Sequence, residues 1–75
     1  FGSKAAMKVL VLARRVDGLD NTPSAWGPGW APCWVGEGPG GWIVHQALEK
    51  CRECMQRFNP EAYQFTVVIA EYDVW

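Results

Sequence analysis

A chain of 75 residues, 49% apolar and 13% aromatic, is long enough for one small core and too apolar for a disordered segment. Seven basic residues against eight acidic ones leave a net charge of −1, so whole-chain steering toward nucleic acid or an anionic membrane is not expected. No apolar run approaches the roughly 18 residues of a membrane span; with no signal-peptide pattern either, a cytoplasmic protein is expected.

Residues 1–6, Phe1-Gly2-Ser3-Lys4-Ala5-Ala6, read as an expression-tag remnant ahead of a start at Met7, leaving one small domain over 7–75. Lys8-Val9-Leu10-Val11-Leu12-Ala13 is β-branched and apolar on both faces, and Arg14-Arg15-Val16 then alternates, which predicts a strand over about 7–16. A Gly/Pro/Trp-rich segment follows over 18–41. Asp17-Gly18, where it begins, and Asp20-Asn21-Thr22-Pro23 carry turn chemistry. Positions 24–35 are predicted irregular, with one weak strand near 30–35 that its prolines confine to an edge or a loop. Gly36-Glu37-Gly38-Pro39-Gly40-Gly41 reads as a loop into a helix. Val44, Ala47, Leu48, Cys51, Met55 and Phe58 recur at helical spacing and predict the buried stripe, with Leu48 toward the sheet and Lys50 and Gln56 toward water. Asn59-Pro60 ends that helix. Tyr63 to about Val74 predicts a second strong strand, with Phe65, Val67 and Ile69 on one face and Thr66, Val68, Ala70, Tyr72 and Val74 on the other.

The fold class that follows is α+β: a small three-stranded, mostly antiparallel sheet covered by one amphipathic helix, in the order β-(β)-α-β. One helix covers only one face of a sheet, yet both strong strands are apolar on both faces. The second face therefore needs the Trp-rich segment, another subunit, or both. A homodimer is expected, with Val68, Tyr72 and Val74 in its interface.

Several motifs match known chemistries only in part. Gly36 to Gly41 matches the G-x-G-x-x-G of dinucleotide sites, but Pro39 removes an amide the phosphate cradle would use and the chain is too short for a nucleotide domain. Cys51-Arg52-Glu53-Cys54 is a C-x-x-C well inside the helix, away from the N-terminal dipole that activates redox cysteines. Cys33, His45, Cys51 and Cys54 supply enough zinc ligands in number, but the helical ones straddle two faces; no metal and no cofactor is expected, and the three cysteines read as free thiols. His45, the one histidine, reads as a solvated side chain rather than a general base, and no catalytic residue is assigned.

What remains is tryptophan, five in 75 residues. In an extended segment, positions four apart share a face, so Trp26, Trp30 and Trp34 are expected to form one aromatic surface, with Trp42 beyond it. Such a surface packs a small core or docks a partner or ligand. Met7-Lys8-Val9-Leu10-Val11-Leu12, then Pro32-Cys33, then a glycine turn and a helix bearing Ala47-Leu48-Glu49, resembles the N-terminal module of HicB-type antitoxins; that resemblance implies a dimeric antitoxin binding a small toxin protein. The reading reached is a small non-enzymatic interaction protein acting through an aromatic surface or an oligomer contact. The alternatives are a binder with a Trp-lined pocket and a HicB-like module.

Overall fold

The computed structural model describes residues 7–71. They run β1 (Met7–Arg15), β2 (Ala31–Gly38), α1 (Gly40–Arg57) and β3 (Tyr63–Glu71). The strands form one antiparallel sheet in the order β2-β1-β3 with α1 packed on one face, which is the α+β architecture expected from the sequence. Residues 1–6, and Tyr72 and Val74 of the expected dimer contact, lie outside the described residues.

β1 and β3 both carry apolar side chains on both faces and no Gly or Pro, and β1 takes the centre, between β2 and β3. Val9, Leu10, Val11 and Leu12 are all buried there. β2 carries Pro32, Gly36 and Gly38 and lies at one edge, where a missing ladder donor costs least. It runs on to Gly38, so half of the expected glycine loop is strand.

β3 pairs with β1 without interruption, from Met7↔Glu71 to Arg15↔Tyr63. The β1–β2 ladder slips between Val11 and Leu12: Val11 lies opposite Trp34 and Leu12 opposite Pro32, which leaves Cys33 as the extra residue of a bulge. The bulge inverts the face on which the residues before it lie relative to those after it.

On the helix side, Val9, Val11, Ile43, Ala47 and Cys54 form the core, bordered by Met7, Cys33, Trp34, Val44, Cys51, Phe65 and Val67. This corrects the predicted helix phase. Leu48 is 53% exposed and Met55 is also exposed, while Ile43, Ala47 and Cys54 are the buried residues of α1. The buried stripe is rotated by roughly 60° from the predicted one. Two causes act together. Only Pro39 separates β2 from α1, and the Ile43 amide donates to the Pro39 carbonyl at 2.9 Å, so the connection sets the phase of the first turn. Small Ala47 and Cys54 then let the helix axis approach β1. The larger residues fall on the flank toward β3, where the Phe58 ring lies 5.6 Å from Tyr63 and 6.4 Å from Phe65.

α1 ends as the Phe58 amide donates to the Cys54 carbonyl, and Asn59 accepts from Glu61 through its side chain and from Ala62 through its backbone. The segment between β1 and β2 is pinned at both ends. The Val16 amide donates to Ala62 at 3.0 Å, and the Gly29 amide to Thr22 at 2.8 Å. Gly29 is buried with φ 83°, and a Cβ there would strike the Asp20 carbonyl, so only glycine suits that closure.

Candidate functional site

The tryptophans do not make one surface. By the register of the bulged ladder, Trp30 follows in line with Arg14, whose guanidinium carbon sits 4.9 Å from the centre of its indole. Arg14 also donates to Gln64 Oε1 from Nε at 3.2 Å and from Nη2 at 2.5 Å, so Trp30 is held on the side of the sheet away from α1. Trp34 lies opposite Val11 and packs against the helix-side core. The expectation of a shared face assumed an unbroken strand, and the extra residue at Cys33 breaks it. Trp26 projects from a turn closed by Ser24, whose hydroxyl donates to the Gly27 carbonyl at 2.6 Å and accepts from the Trp26 amide.

A different aromatic pair emerges along β2. The six-membered part of the Trp34 indole covers Gly36, occupying the place a side chain there would take. Two residues on, a Cβ on Gly38 would meet the Trp42 ring at 3.0 Å. Glycine at alternate positions of an edge strand thus makes room for two indoles on the helix side. Trp42, on the first turn of α1, remains 57% exposed, and Trp34 is half-buried. The sequence signal for this pairing was the alternation of Trp34, Gly36 and Gly38, which reads as a loop when taken for glycine content alone.

Those glycines do not cradle a phosphate. Gly36 and Gly38 are strand residues beneath the tryptophan rings, and Gly40 and Gly41 already belong to the helix. The thiols are arranged for packing. Cys33 Sγ donates to the Val11 carbonyl at 3.4 Å and meets Cys54 Sγ at 3.2 Å. Burial, then the hydrogen bond to Cys54, pushes the Cys33 pKa up to about 12, and burial followed by the neighbouring Cys54 raises that of Cys51. All three cysteines are free. His45 is exposed, with Nε2 3.3 Å from Glu49 Oε2 one turn on. Among the described residues no group of three or more His, Cys, Asp or Glu is placed to hold a metal ion. No described helix is long and apolar enough to cross a membrane.

A cleft of about 220 Å³ opens at the far end of the sheet, lined by Ala13, Arg15, Asp20, Cys33, Phe58 and Tyr63 among others, and by no tryptophan. Its charges are already engaged. Arg15 Nη2 donates to Asp17 at 2.6 Å, and Asp20 accepts from the Thr22 hydroxyl at 2.8 Å and from its amide. The Leu19 amide and then Arg15 hold the Asp17 carboxyl below its ordinary range, and Thr22 does the same for Asp20. The ring cluster of Phe58, Tyr63 and Phe65 beside this cleft was not anticipated as a unit. Its signal was Tyr63 and Phe65 at strand spacing just after an aromatic helix end.

Comparison with protein-family models, with curated proteins and with solved structures finds no match to this chain.

Proposed function

We propose that this domain is a non-enzymatic protein-interaction module whose contact is anchored by Trp42, with Trp34 beside it on the β2–α1 corner. The observation that carries the reading is Trp42 itself: a large ring on a rigid helix, 57% exposed and laid over Gly38. Tryptophan is among the residues enriched at binding hot spots, because it offers large contact area with little conformational entropy to lose. The absence of an enzyme role is part of the proposal. It is supported by a Cys33 thiol that stays protonated at neutral pH and is a poor nucleophile, and by a His45 whose only described partner is a solvated Glu49. A cytoplasmic location is proposed on the same footing, from three free thiols. The likeness to HicB-type antitoxins gains no support from the comparisons and is not carried further.

Trp42→Ala tests the anchor. The exposed ring is expected to leave folding nearly intact. Proteins captured from the native host are compared quantitatively between wild type, Trp42→Ala and Gln56→Ala. A partner kept by Gln56→Ala and reduced at least tenfold by Trp42→Ala supports the reading, whereas equal capture by all three removes it.

The cleft between Arg15 and Tyr63 favours one second reading, a small-ligand site. Its volume, about 220 Å³, is below the range of drug-sized pockets and suits only a small anion or metabolite. Trp30 rests on Arg14, which lines that cleft, so an occupant should shift tryptophan emission. A screen of small anionic metabolites with no spectral response would reject this reading.

A further inference from the structure

The two edges of the sheet are unlike. β2 carries the features that keep an edge from pairing: Pro32, a bulge at Cys33 and two interior glycines. β3 carries none of them. Tyr63–Glu71 has no proline, glycine or basic residue, and its ladder with β1 is regular over its full length. Its outer edge is a straight row of backbone donors and acceptors with no strand beside it among the described residues.

The flank of α1 above that edge is also apolar. Val44, Leu48, Cys51, Met55 and Phe58 recur at alternating spacings of four and three, the pattern of a helix-packing seam. The seam faces β3, because Val44 and Cys51 border the core with Phe65 and Val67, and Phe58 stacks near Tyr63 and Phe65. Yet Leu48 is 53% exposed, and Ile69, on the helix side of β3, is 50% exposed. α1 sits over β1 and β2, and leaves this groove open.

We infer that a second copy of this chain occupies it, adding its own β3 antiparallel to the first. The inference does not depend on the Trp42 anchor, which lies at the opposite edge. An antiparallel strand paired with its own copy is related to it by a two-fold axis, so the same edge serves both partners and the assembly closes. With that axis normal to the sheet, both α1 helices lie on one side and turn their Leu48–Met55 flanks toward each other over the joint. The size is sufficient. A nine-residue edge is about 30 Å long and the strand-plus-helix layer about 20 Å high, so each copy offers roughly 600 Å². The total of about 1,200 Å² clears the roughly 1,000 Å² expected of a specific interface. Val68, expected in a dimer contact from the sequence, belongs to this edge strand, and its ladder partner on β1 is the buried Leu10. What changes is the geometry: strand beside strand, rather than sheet face on sheet face.

The test is sedimentation equilibrium of the 75-residue chain from micromolar to millimolar concentration, with three single variants at exposed positions. Wild type should show a concentration-dependent dimer. Ile69→Lys and Leu48→Lys each bring two like charges into the joint and should weaken the dimer by about a hundredfold or more, with the helical circular dichroism signal kept. Val35→Lys, on the β2 edge, should leave the dimer unchanged. If one of the first pair fails to fold, the other decides. A wild type that stays monomeric to millimolar concentration overturns the inference. So does a folded Ile69→Lys or Leu48→Lys chain that dimerises like wild type, or loss of the dimer through Val35→Lys.

Discussion

Ile43 and Leu48 are both large, aliphatic and helical, but their surroundings differ. Ile43 is buried against Val9 and Val11, while Leu48 stands half in water. Truncating Ile43 to alanine should therefore cost about 2–5 kcal/mol, and Leu48→Ala less than about 1 kcal/mol. Urea denaturation at dilute concentration, where no self-association contributes, distinguishes them. Equal costs would mean the helix is rotated from the position described. The fold also alters the chemistry of Cys33. Burial, then the hydrogen bond to Cys54, pushes its thiol from an ordinary 9.0 up to about 12. Between those values the unfolded chain releases a proton that the folded chain keeps, so stability must fall as pH rises through that window and show no such dependence below it. Cys33→Ala should flatten the alkaline limb of a stability–pH curve. A slope unchanged by the substitution would assign the effect to other groups.

At the level of elements, the bulge in β2 decides more than its single residue suggests. It separates Trp30 from Trp34 across the sheet, and it puts Cys33 where its sulfur reaches both Val11 and Cys54. Beyond the bulge the strand is regular, and its glycines serve the tryptophans. Gly36→Ala should displace the Trp34 ring, because the new methyl and the indole would share the same space. The expected result is a red-shifted emission and a loss of about 1–3 kcal/mol. An unchanged spectrum would show that Trp34 does not rest there. The helix was legible in existence and nearly in extent, yet its phase was not. Two apolar stripes run along it, Ile43-Ala47-Cys54 and Val44-Leu48-Cys51-Met55-Phe58, and periodicity weights the larger residues. Close approach to a sheet favours the smaller ones.

For the whole molecule, the asymmetry between its edges is the main consequence of the fold. One edge is closed by proline, bulge and glycine and carries the exposed indole of Trp42. The other is a clean strand beneath an apolar helix flank. A dimer through β3 would leave Trp42 free on both copies, so the two proposed surfaces are compatible. If the second copy binds the folded state alone, the thermal midpoint should rise with protein concentration in wild type and stay flat in Ile69→Lys. A flat midpoint in both would count against assembly.

The order of elements along the chain and the confinement of β2 to an edge follow from local chemistry, whereas the central place of β1 is set by packing. β-branched runs without Gly or Pro form strands, prolines confine a strand to an edge, and Asn59-Pro60 must end a helix. The bulge at Cys33, the rotation of α1, the seating of Trp34 and Trp42 on glycines and the ring cluster around Phe58 were decided only when the elements packed. Each depends on distances between segments far apart in sequence. A one-residue slip or a part-turn rotation leaves the local pattern nearly unchanged while moving every side chain to a new neighbour.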